Sequence, residues 1–110
     1  MRTITAPSEI DALFKTGRRG STDLILVLST ETPPRRDPEG RVVFVAGKKL
    51  GGAVVRNRCR RVMREATRRV GGPWPGVDIA LVARARVATA TPAEIDKALV
   101  SALERCVVHR

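Results

Sequence analysis

From Val55 to Val70 the apolar side chains recur at Val55, Cys59, Val62, Met63, Ala66 and Val70. Steps of three and four predict an α-helix that meets a core along one stripe. A second stripe, Ile95, Ala98, Leu99, Ala102, Leu103 and Cys106, follows Thr91-Pro92-Ala93-Glu94. Those four residues read as a capping box with proline at the first helical position. A shorter stripe, Ile10, Leu13 and Phe14, predicts a helix over residues 7–15 that opens at Pro7 or Ser8 and stops at Gly17. The runs between these helices have another character. Residues 23–29 carry Leu24-Ile25-Leu26-Val27-Leu28 without a polar break, as in a strand covered on both faces. Residues 41–46 and 77–85 predict two further strands, and Arg18-Arg19-Gly20-Ser21 a basic turn or short strand. Proline and glycine punctuate residues 30–40, expected as an irregular, mobile loop, and residues 71–76. The order helix, strands, helix, strand, helix predicts an α+β domain over residues 1–110: one small sheet with helices packed on it.

Composition then narrows the partner. The formal net charge is +10, which points to nucleic acid or an anionic membrane surface as the partner. Hydrophobic residues make up 43% of the chain, enough for a folded domain rather than a basic tail. No apolar run approaches the roughly 20 residues that span a bilayer, and residues 1–5 lack the apolar core of a secretion signal, so a cytoplasmic location is expected.

Much of that charge falls on the helix after Val55. At about 100° per residue, Asn57, Arg61, Arg64 and Arg68 point away from the apolar stripe, with Arg56, Arg58, Arg60 and Arg69 flanking them. Seven arginines share this helix with one acid, Glu65. Like charges at these spacings repel, and a polyanion relieves the repulsion while releasing counterions. The arginine fork also grips two phosphate oxygens at once. A solvated polar face is the ordinary explanation of helical charge, but such faces mix signs and this one does not. Nucleic-acid binding is therefore the expected function.

Catalytic chemistry is not evident. His109 stands alone near the chain end, so no Ser/His/Asp or Cys/His set can form around it. Gly47-Lys48-Lys49-Leu50-Gly51-Gly52 lacks the Gly-Lys-Ser/Thr ending of a Walker loop, and no carboxylate pair is spaced for metal-assisted cleavage. Cys59 and Cys106 have no metal-ligand spacing and lie on apolar stripes, which favours buried reduced thiols over a disulfide or a zinc site. Trp74 could stack on a base or fold over the edge of the core, and the second reading is preferred.

The stretch Gly47-Lys48-Lys49-Leu50-Gly51-Gly52-Ala53-Val54-Val55-Arg56-Asn57-Arg58-Cys59-Arg60-Arg61-Val62-Met63-Arg64-Glu65-Ala66 closely resembles the signature of the bacterial ribonuclease P protein subunit. The likeness covers about residues 8–105 and is densest from Arg41 to Ala66. It implies a two-layer α/β sandwich in the order αβββαβα, its central basic helix packed on a four-stranded sheet. It implies a partner as well: a catalytic RNA that holds the magnesium ions and removes the 5′ leader of precursor tRNA, one protein per RNA. The catalytic groups would then lie on the RNA. Carried over position by position, Arg56, Asn57, Arg61 and Arg64 match the RNA-facing helix surface. Arg58, Arg60 and Arg68 would extend it, and Lys48 and Lys49 match its basic turn. The resemblance also implies a leader cleft lined by Ile10, Phe14 and Leu28. Of those positions only Phe14 keeps an aromatic ring, so leader contact is expected to lean on arginine and backbone more than on stacking. Plain core packing beside Leu13 is the competing role for Phe14.

Three other readings use the same basic helix. A ribosomal-type RNA-binding module would need no leader cleft. A DNA major-groove reader would need a helix-turn-helix pair, whereas strands are predicted on both sides of this helix. A membrane-surface helix would need larger apolar anchors than Val, Cys, Met and Ala.

Overall fold

The computed structural model describes residues 3, 4, 6–31 and 40–106. Its elements are α1 (Pro7–Thr16), β1 (Arg18–Ser21), β2 (Ile25–Glu31), β3 (Val42–Val45), α2 (Ala53–Val70), β4 (Val77–Ala83) and α3 (Pro92–Cys106). This is the expected αβββαβα order, with short 3-10 turns added at Lys48–Leu50 and Ala85–Ala88.

The strands form one sheet in the order β1-β2-β4-β3. β2 pairs antiparallel with both β1 and β4, while β3 runs parallel to β4. Parallel neighbours need a crossover, and α2 supplies it. Period-two alternation then sorts the strands into two faces. On one, Ile25, Val27, Val42, Phe44, Ile79 and Leu81 pack beneath Cys59, Met63 and Ala66 of α2 and Ile95, Leu99 and Ala102 of α3. On the other, Leu28, Val43 and Ala80 are covered by Leu13 of α1 and by Ile4. Burying one such large apolar side chain contributes about 1.5–3 kcal/mol. The unbroken apolar run of β2 thus has a physical cause, since both of its faces are roofed. The expected two-layer sandwich describes the α2/α3 side, and α1 adds a partial third layer opposite.

Several boundaries differ from expectation. β3 starts at Val42 rather than Arg41, because the Arg41 N–H goes to Asp78 Oδ1 at 3.3 Å. β4 ends at Ala83, where the chain turns into the second 3-10 segment. Thr67 joins the buried stripe of α2, its hydroxyl donating to the Met63 carbonyl at 2.9 Å. Trp74 packs partly buried against the α2/α3 core, as preferred. Most of the 30–40 loop, residues 32–39, lies outside the described residues, as does His109.

The helix ends follow local chemistry. α2 stops at Gly71, whose left-handed φ of 104° suits glycine and lets its N–H donate to the Thr67 carbonyl. The capping box of α3 forms in full: Glu94 N–H donates to Thr91 Oγ1 at 3.2 Å and Thr91 N–H to Glu94 Oε1 at 2.9 Å. Hydrogen bonding from Thr91, its backbone N–H first and its hydroxyl second, holds the Glu94 carboxyl below the usual carboxylate range. Thr91→Ala is expected to lower stability by about 1 kcal/mol, seen as a Tm lower by roughly 4–8 °C. An unchanged melting curve would mean that water replaces the cap.

Candidate nucleic-acid interface

The roof of the core and the arginine face are two sides of one helix. With Cys59, Met63, Ala66 and Thr67 buried, helical geometry turns Asn57, Arg58, Arg61, Arg64 and Arg68 out to solvent, and Arg56 and Arg60 lie half-buried at the flanks. Lys48 and Lys49 are exposed on the 3-10 turn just before the helix. All nine basic-face positions expected from the sequence therefore sit on one turn-helix unit.

The charges on this unit differ in their ties. Arg69 is committed to α3: its Nε and Nη2 reach the Asp96 carboxylate at 2.8 Å, and this bond is the main cause of its raised pKa. Glu65, the lone acid of α2, adds its field to Arg69 as well. Among the described residues, none of Arg56, Arg58, Arg60, Arg61, Arg64 or Arg68 forms an ion pair. Three of them are nevertheless oriented. Arg60 donates to Asn57 Oδ1, Arg64 lies 5.2 Å from the centroid of the Phe44 ring, and the Nε of Arg56 is buried without a hydrogen-bond partner. Side chains held this way lose less rotamer freedom when phosphate arrives.

The opposite sheet face carries a second surface, and the register defines it. One cross-strand row reads Leu28, Ala80, Val43, and it is sealed under α1. Leu28 is 0% exposed, so it lies beneath the cleft rather than lining it, which corrects the expectation drawn for that residue. The next row, Leu26, Val82, Val45, lies two residues further along each strand and stays partly open. α1 contributes Ile10 and Phe14, both half-buried, as a wall beside it. Arg84 continues β4 beyond Val82 and donates to the hydroxyl of Ser21, the residue paired with Leu26, at 2.7 Å. Beyond Val45 the chain runs through Gly47 directly into Lys48 and Lys49. The result is an apolar trough with cations at its margin. Leu26, Val45, Val82, Ser21 and Arg84 were not anticipated, although stepping by two from Leu28 and Ala80 reaches Leu26, Val82 and Arg84.

Burial pushes the Cys59 thiol up in pKa against the pull of Arg58 and Arg60, and burial likewise raises Cys106. Both are buried free thiols. Among the described residues, no three His, Cys, Asp or Glu side chains come together as metal ligands, and no helix is long and apolar enough to cross a membrane.

Comparison with known proteins places this geometry in a family. The ribonuclease P family model matches residues 1–107. The ribonuclease P protein component of Dehalococcoides mccartyi strain CBDB1 is 40% identical over 79 residues, covering 72% of this chain and 65% of that protein. For a second strain of that organism the match spans 47% of the relative's length. The Brevibacillus brevis protein of the same name is 32% identical over 105 residues, covering 91% of this chain and 79% of that one. In fold, the chain resembles the Staphylococcus aureus RNase P protein, with a TM-score of 0.82 at 23% identity, covering 100% of this chain and 99% of that one. It also resembles the Thermotoga maritima protein, with a TM-score of 0.80 at 22% identity and full coverage of both chains. The chain belongs to the ribonuclease P protein family.

Proposed function

We propose that this chain is the RNA-binding protein subunit of ribonuclease P in the bacterial cytoplasm, one copy per catalytic RNA, and that it assists removal of the 5′ leader from precursor tRNA. The observation that carries this reading is the set of α2 arginines that form no ion pair among the described residues, joined through one basic turn to an apolar trough. The arginine face neutralises RNA backbone. The trough has the form of a single-strand site: a flat aliphatic floor for sugars and base edges, one ring at Phe14, and Arg84, Lys48 and Lys49 for phosphates. In this reading magnesium belongs to the RNA, as the family resemblance implies.

The direct test is cleavage of a precursor tRNA by a bacterial ribonuclease P RNA at low magnesium, with and without the protein. Rescue of correct 5′ cleavage is the expected result. RNA binding without rescue would leave only a generic RNA-binding module. Within the same assay, Phe14→Ala is expected to weaken leader-bearing substrate by no more than about 1–3 kcal/mol, the worth of one stacked base, and to leave leaderless tRNA unchanged. An equal loss for both substrates would assign Phe14 to the core alone.

A further inference from the structure

Beyond the sealed row, at the end of the sheet face opposite the trough, the register brings together Thr30, Asp78 and Arg41. Arg41 is 14% exposed in its side chain and Asp78 7%. The Arg41 Nη2 donates to Asp78 Oδ2 at 3.0 Å, and its backbone N–H to Asp78 Oδ1 at 3.3 Å. The guanidinium is thereby anchored to β4. It also grips α1: Nη1 donates to Glu9 Oε1 at 3.3 Å, and Nη2 bonds Glu9 Oε2. The bond to Glu9 is the largest cause of the raised Arg41 pKa, so the cation persists at any working pH.

This contact bears on the trough through α1. The helix has no side-chain cap at its N-terminus, and Leu13 is its buried residue. With one fully buried peg, and Ile10 and Phe14 only half-buried beside it, the tilt of the helix is loosely set. A fork bound to the first turn, four residues before the peg, fixes the angle. Ile10 follows Glu9 directly, and Phe14 stands one turn further on, so the angle of α1 sets the distance of the trough wall from Leu26, Val82 and Val45. Glu9 is 41% exposed, where an ion pair adds little to global stability but is well placed to orient a helix.

We propose that Arg41 is a positioning residue for the RNA leader: anchored by Asp78, it holds Glu9 and so sets the width of the trough, without touching RNA itself. This rests on the leader-binding reading above. The test compares wild type, Glu9→Ala and Glu9→Gln as reconstituted holoenzymes. Its readouts are affinity for leader-bearing and leaderless precursor tRNA, affinity for the catalytic RNA, and amide hydrogen exchange. Glu9→Ala is expected to lose about fivefold of the preference for leader-bearing substrate, the scale of a half-exposed ion pair, with leaderless tRNA and catalytic RNA bound as before. Exchange should quicken in residues 7–16 and not in β2 or β4. Glu9→Gln, whose amide oxygen still accepts from Arg41, should recover part of the preference. A wild type that binds both precursors equally would refute the leader reading itself. A wild type with a preference that Glu9→Ala retains in full would overturn the positioning role alone. Equal losses on both substrates, or exchange rising across α1 and the sheet together, would also overturn it.

Discussion

Alanine at Arg56, Arg61 and Arg64 together is expected to lower affinity for the catalytic RNA by about 10³-fold and to remove the rescue of cleavage at low magnesium. Each side chain offers a charge-assisted contact of about 1.5 kcal/mol, and three of them sum to roughly that factor. The log-salt slope should flatten by about 2–3, at 0.7–0.9 per phosphate contact. Folding should survive, because Arg61 and Arg64 are exposed and none of the three forms an ion pair among the described residues. Arg69→Ala is the natural contrast. Its guanidinium is already spent on Asp96, so the salt slope should barely change while the α2–α3 contact weakens. An unchanged slope in the folded triple variant would move the interface off this face.

Gly20→Ala is expected to cost about 3 kcal/mol of stability, the upper end of overpacking, with a Tm lower by roughly 10–20 °C. A Cβ at Gly20 would stand 1.9 Å from the Ala102 carbonyl oxygen, 2.9 Å from its carbon and 3.0 Å from Cys106 Cβ. The first two are backbone atoms of α3, which cannot swing aside as a side chain would. α3 would have to lift from β1 while the Asp96–Arg69 pair and its buried stripe hold it to α2 and the sheet. Gly47→Ala provides the control. Nothing lies within 4 Å of a Cβ there, and its φ of −74° suits any residue, so the change should stay within about 0.5 kcal/mol. A Gly20→Ala protein that melts with wild type would mean that the α3–β1 contact is looser than described.

How much of this was legible beforehand depended on the range of the interactions. α2, its buried stripe and its arginine face follow from a 3.6-residue period, and the Thr91–Glu94 cap from a four-residue motif, so both could be read locally. The trough could not be read as well. In β2 every position from Ile25 to Leu28 is apolar, so the alternation carries no phase. Whether Leu26 or Leu28 lies under α1 depends on where that helix ends above the sheet. Arg84 meets Ser21 across 63 positions, and Arg41 meets Glu9 and Asp78 across 32 and 37. Such pairings exist only once strand order is known. The resemblance to a family implied a cleft lined in part by Leu28, whereas that residue is core in this chain.

The two faces of β2 also bear on how such a protein changes over time. Ile25 and Val27 answer to the α2/α3 core, whereas Leu26 answers to the open trough, and the three alternate within one seven-residue strand. A substitution at Leu26 can alter what the trough accepts without creating a cavity between sheet and helices. The lining can therefore vary at little cost in foldedness. Under the proposed leader-binding role, mutational tolerance and substrate preference are separable along this strand, and a library restricted to Leu26, Val45 and Val82 would explore the second without disturbing the first.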